Sequence, residues 1–166
     1  KTIRHQIEFT KEYQEIGVKE AVWQNVRDTV KTAGSAFKLE NVTLMINCEN
    51  IEIFADPLLQ KVFHNLFDNA FRYAPPFTTI SISCTDAKEG LSVVFADDGI
   101  GITKEIREHL FERGFGKHTG LGLFLSREIL AITGITITEN GEPGNGARFE
   151  IRVPKGAYRV SGAGKN

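Results

Sequence analysis

The sequence is short of the features that mark several large protein classes. Its 166 residues carry a formal net charge of −1, so no excess of either sign points to nucleic acid or an anionic membrane. No apolar run approaches the roughly 20 residues a bilayer-crossing helix needs, and no signal peptide opens the chain. The expectation is a cytoplasmic domain with no membrane or nucleic-acid contact of its own, in a parent chain left free to be membrane-anchored. Only two cysteines are present, Cys48 and Cys84. Neither belongs to a Cys-x-x-Cys pair, which argues against structural zinc. Both fall in apparent strands. They could form one disulfide, but the absence of a secretory signal favours two reduced, partly buried thiols. The chain opens on Lys1 rather than Met, which suggests a piece of something longer.

Familiar phosphate motifs are also missing. A Walker A loop fails because His118 follows Gly116-Lys117 and Phe111 stands where the first glycine belongs. A Rossmann fingerprint fails because Lys104 occupies the third glycine position after Gly99 and Gly101. His-Arg-Asp and Asp-Phe-Gly do not occur.

What is present is an ordinary globular composition, 41% apolar and 25% charged, in a chain long enough for one real core. Ile3 and Ile7 sit at helical spacing in a charged lead-in over residues 1–16, broken at Gly17. Val22, Val26 and Val30 step by four, with Trp23 beside them, and predict one helix. "VTLMINCE" and "IEIFAD" read as strands joined by a turn at Asn50. Asp56-Pro57 predicts a helix start and Pro75-Pro76 its end, giving a helix from Pro57 to Tyr73. "TTISISCT" and "LSVVFADD" predict a hairpin. "KEIREHLFE" predicts a short amphipathic helix, and "GLGLFLSREILAITG" a helix closed at Gly134. "ITITEN" and "ARFEIRVP" form a last hairpin before a loose tail over residues 156–166. The mixture lacks steady βαβ alternation, which predicts an α+β fold: a layer of helices on one sheet.

The helix over 57–73 poses a chemical question. At 100° per residue, Leu59, Val62, Phe63, Leu66, Phe67 and Ala70 share one face. Lys61, Asn65, Asp68, Asn69 and Arg72 gather opposite, with Asn65, Asn69 and Arg72 in line. The plain reading is a solvated face. Such faces usually carry Glu, Lys, Gln and Arg, however, and asparagine costs some tenths of a kcal/mol in a helix. Carboxamide oxygens suit a hard cation such as Mg²⁺, and Arg72 suits a phosphate oxygen. Together they point to a nucleotide.

Two glycine stretches agree. In "ADDGIGI", Asp97 and Asp98 stand at the end of a strand, where a carboxylate can accept from an exocyclic amine such as adenine's. Gly99 and Gly101 permit close backbone approach. In "RGFGKHTGLGL", Gly120 and Gly122 flank the start of an apolar helix whose free amides suit phosphate, and Lys117, His118 and Thr119 add charge and donors. Taken singly, an Asp-Gly turn and a flexible loop explain these stretches equally well.

In order, "NLFDNAFRYA", "DDGIGI", "LFERGFG", "TGLGLFLSREI" and "GNGARFEIRVP" resemble the boxes of the histidine-kinase ATPase domain, the Bergerat fold shared with gyrase and mismatch-repair ATPases. The resemblance spans about Val22 to Pro154. It implies a two-layer sandwich, a mixed and mainly antiparallel sheet against about three helices, with ATP and Mg²⁺ between helices and lid. It assigns Asn65 and Asn69 to metal and phosphates, and Arg72 and Tyr73 to the nucleotide. Asp97 would read the adenine amine, with Gly99, Gly101 and Ile102 around the base. Phe111 would anchor a lid over Gly114–Thr119 that includes Lys117 and His118. Gly120, Leu121, Gly122 and Leu123 would form the phosphate turn. Hydrolysing relatives carry Glu at the Asn65 position; an amide cannot serve as general base, which favours transfer to a protein nucleophile.

The resemblance thus implies a kinase catalytic domain over 17–155, after the end of a dimerisation and phosphoacceptor helix. Its phosphoryl acceptor would be a histidine on that separate domain, its downstream partner a response regulator, and its parent a homodimer. None of His5, His64, His109 and His118 has the setting of an acceptor. An anti-sigma-type serine kinase and a nucleotide-binding regulatory module share the fold and stand as alternatives.

Overall fold

The computed structural model describes residues 11–114 and 122–160. Residues 11–15 form a helical turn, α1. After it come β1 (Val22–Asn25), α2 (Val26–Gly34), β2 (Thr43–Asn47), β3 (Ile51–Ala55), α3 (Leu59–Tyr73), β4 (Thr79–Ala87) and β5 (Gly90–Asp97). The chain continues with α4 (Lys104–Arg107), α5 (Gly122–Ala131), β6 (Thr136–Glu139), β7 (Arg148–Pro154) and β8 (Tyr158–Val160).

The strands form two sheets rather than one. The larger has the order β2-β4-β5-β7-β6; only β2 runs parallel to its neighbour β4, and the other pairs are antiparallel. The smaller has the order β1-β3-β8. Period-two alternation sends Ile80 and Ile82 of β4, Leu91, Val93 and Phe95 of β5, and Phe149, Ile151 and Val153 of β7 into the core. Against them lie Leu59, Val62, Phe63, Leu66, Phe67 and Ala70, the apolar face expected of the central helix. Phe67 meets Phe95 edge-on at 5.0 Å. Each large side chain buried there contributes roughly 1.5–3 kcal/mol, so this face of α3 welds the helical layer to the sheet.

Several expectations need correction. The segment after Val22 is not one helix. Val22 and Trp23 pair with Ala55 and Phe54 in β1–β3, and Asn25 ends the strand by capping α2, its Oδ1 accepting from Asp28 N at 2.9 Å. The β-branched and aromatic residues satisfy a strand pattern that the four-residue steps masked. The central helix begins at Leu59, not Pro57. Asp56 Oδ1 instead takes Leu58 N, and its Oδ2 takes the amide of Gly17 at 2.8 Å, tying the lead-in to the domain. The strands on either side of Asn50 enter different sheets. Asn50 itself has φ 55°, a left-handed turn conformation that asparagine tolerates. The tail is not loose throughout, since Tyr158–Val160 pairs with β3.

The cysteines form a disulfide rather than two thiols. Parallel pairing sets Asn47 beside Ser83, so the next residues along, Cys48 and Cys84, fall side by side with Cα atoms 5.1 Å apart, within bridging range. The crossover that creates this register cannot be read from either strand alone.

Candidate functional site

The polar stripe of α3 forms as its spacing predicts, and the structure gives its members distinct partners. Asn65 is half-buried in the seam between α3 and α5. Its Nδ2 donates to the carbonyl of Gly122 at 2.9 Å and to Ser126 Oγ at 3.0 Å. Ser126 is fully buried and returns its own proton to Gly122 O. The amide nitrogen is therefore committed to the start of α5, which fixes the rotamer and leaves the carboxamide oxygen without a described partner. Asn69, one turn on, is half-buried and makes no side-chain hydrogen bond to a described residue. Arg72 pairs with Asp68 through Nε, at 3.1 and 2.9 Å to the two carboxylate oxygens. Lys61, one turn before Asn65, pairs with Glu12 of α1. Tyr73 closes the helix partly exposed; burial raises its hydroxyl pKa, with the Arg72 charge opposing.

Asp97 ends β5, and its Oδ1 accepts from Gly99 N at 2.9 Å and Ala147 N at 3.2 Å. Burial raises its pKa above the usual carboxylate value; the two amides pull the other way, and the charges of Asp98 and Glu139 push it up further. Oδ2 takes no hydrogen bond from any described residue, so an acceptor remains at the strand end. Its neighbour Asp98 has a structural job. It accepts from the Thr78 hydroxyl at 2.6 Å and from the amides of Thr78 and Thr79. Those bonds, the hydroxyl's first, hold its pKa at about 2.

The glycines of this loop are demanded by packing inside the protein. A Cβ on Gly99 would lie 2.3 Å from the Ala74 carbonyl oxygen, at the end of α3. Gly101 has φ +78° and would press on the 142–146 turn. Ile102 and Phe111 pack against the core, and the Phe111 ring meets Phe149 edge-on at 6.4 Å. Gly122 opens α5, where a Cβ would sit 3.5 Å from Asn65 Cγ, and Leu123 is partly buried beside the core. Lys117, His118, Thr119, Gly120 and Leu121 lie outside the described residues, as does His5. His64 packs on Phe37 with centroids 5.0 Å apart, and His109 pairs with Glu112; both do local structural work.

Sequence reading missed Ser126, Ala147, Arg107 and Glu139. One signal was available: Ile135, Ile137 and Glu139 alternate toward the core, which puts an acid in an apolar register.

The donor set fits a magnesium nucleotide. Among the described residues no three His, Cys, Asp or Glu side chains cluster as a metal site. The available ligands are the neutral oxygens of Asn65 and Asn69, suited to a hard cation that keeps waters and phosphate oxygens in its shell. The Oδ2 of Asp97 is an acceptor of the kind an amino-bearing base would need. A five-stranded mixed sheet under a helical layer, with Asn65 of one helix bonded to the start of another, is the arrangement of the Bergerat class of ATPase domain.

The model of the histidine kinase-, DNA gyrase B- and HSP90-like ATPase family matches residues 55–157, and the chain belongs to that family. Relatives include the histidine protein kinase SaeS of Staphylococcus epidermidis, 29% identical over 136 residues, covering 74% of this chain and 39% of that protein. The sensor protein SrrB of Staphylococcus aureus is 35% identical over 106 residues, 58% of this chain and 18% of SrrB. The chain thus spans well under half of these relatives. Among solved structures, the catalytic domain of histidine kinase ThkA superposes with a TM-score of 0.69 at 26% identity, covering 82% of this chain and 99% of that one. The Acinetobacter baumannii histidine kinase AdeS gives 0.73 at 20% identity, covering 93% of this chain and 79% of that one. Among the described residues no helix is long and apolar enough to cross a membrane.

Proposed function

We propose that this chain is the catalytic domain of a sensor histidine kinase, with its catalytic unit over 17–155. It would bind Mg-ATP and pass the γ-phosphoryl group to a histidine on a separate dimerisation domain, upstream of a response regulator and within a homodimeric parent. The observation that carries the reading is the lock between Asn65 and the first turn of α5. It holds the Asn65 carboxamide at the start of α5, with the amide of Asn69 one helical turn away.

Each residue then has a task. Asn65 and Asn69 hold the cation, which neutralises phosphate charge when bound. Arg72, steadied by Asp68, supports a phosphate oxygen. Asp97 accepts from the exocyclic amine of the base, its geometry fixed by the Gly99 and Ala147 amides. No carboxylate stands at the Asn65 position to take a proton from water, so the arrangement positions and neutralises rather than hydrolyses.

Calorimetry tests this. The chain should release heat with Mg-ATP, and Asp97→Asn should weaken binding by about tenfold or more, the worth of one hydrogen bond to a charged group. Incubation with γ-labelled ATP should leave the chain unlabelled on histidine. Absence of heat with the unaltered chain, or unchanged affinity in Asp97→Asn, would defeat the reading.

A further inference from the structure

The turn between β6 and β7 holds a buried ion pair to which the nucleotide reading gives no work. The Glu139 side chain has 0% exposure and that of Arg107, on α4, has 28%. Arg107 Nε donates to Glu139 Oε1 at 2.6 Å, and its Nη2 donates to the Gly141 carbonyl. Glu139 Oε2 accepts from Gly141 N at 3.1 Å and Arg148 N at 3.0 Å. Stability alone is a poor reason for such a pair, because apolar residues of similar volume often stabilise as well or better. Ile135 and Ile137 already set an apolar register for this strand.

Two consecutive amides show what the pair reaches. Arg148 N goes to Glu139, and the adjacent Ala147 N goes to Asp97 Oδ1. Glu139 thus pins the turn on both sides, at Gly141 and Arg148. Gly144 N anchors its tip to Ile100 O at 2.9 Å, and Gly146 lies so close to Asp97 that a Cβ would meet its carbonyl oxygen at 1.9 Å.

We propose that Arg107 and Glu139 are positioning residues that set base selectivity: they fix the turn that presents the Ala147 N–H to Asp97 and so keep the Asp97 carboxylate placed to accept from an amino-bearing base. The inference rests on the nucleotide reading above. A displaced Asp97 loses its preference for adenine, whose six-position amine donates, over guanine, whose six-position oxygen accepts.

The test is the ratio of Mg-ATP to Mg-GTP affinity, measured well below each protein's melting midpoint. Glu139→Gln and Arg107→Met should each lower the ATP preference by about tenfold, the scale of one misplaced hydrogen bond to a charged group. Arg107→Lys, which keeps a cation, should retain most of it. A pair that serves only the fold would lower the melting midpoint and leave the ratio unchanged, and that result overturns the proposal. If Glu139→Gln does not fold, Arg107→Met carries the test, since Arg107 is partly exposed. Failure of the unaltered chain to bind either nucleotide would overturn the nucleotide reading and this one with it. An unaltered ratio in variants of a chain that binds ATP would overturn this one alone.

Discussion

Asparagine at positions 65 and 69 looked costly in a helix, and the structure shows how differently the two are used. Asn65 spends its donor on α5, whereas Asn69 spends none on the described protein. That division was invisible in the sequence, because the partner of Asn65 lies 57 residues away. Gly99 teaches the opposite lesson. Its place was legible, and the structure adds a reason within the protein: it lets the Asp97–Gly101 loop lie against the end of α3. Gly99→Ala should therefore cost about 1–3 kcal/mol, the usual price of forcing extra volume into a packed site. Urea unfolding of the nucleotide-free chain would measure it. A loss seen only as weaker ATP binding, with stability intact, would return the glycine to the ligand.

Secondary structure was legible where one period dominated. The apolar face of α3 and the β4–β5 hairpin follow the sequence pattern because burial enforces it on every turn and every second residue. It failed where two periods overlapped, as at Val22–Val26, and where pairing was long-range, as in β8 or the parallel β2–β4 contact. That contact has a measurable result. The Cys48–Cys84 bridge closes a loop with a sequence separation of 36; by chain entropy such a link contributes about 3–4 kcal/mol. Reduction by a thiol should lower the urea midpoint accordingly, with Cys48→Ser matching the reduced protein. An unchanged midpoint would mean that the ladder alone holds β2 in place.

For the molecule as a whole, two adjacent acids respond to pH with opposite signs. Asp98 has a depressed pKa, so its contribution is present above the ordinary value of 3.8 and is lost as pH falls toward about 2. Asp97 has a raised pKa; its contribution is present at low pH and is lost as pH rises through the raised value. Asp98→Asn should flatten the acid limb of the stability profile between pH 3.8 and about 2, followed by thermal melts across that range. A profile identical to that of the unaltered chain would place the acid sensitivity elsewhere.

The small sheet adds a mechanical consequence. Both β1 and β8 run antiparallel to β3, so the first and last described strands point the same way on either side of it. Tension applied at the near end of one and the far end of the other would load both ladders in shear. Their hydrogen bonds would resist together rather than open one at a time.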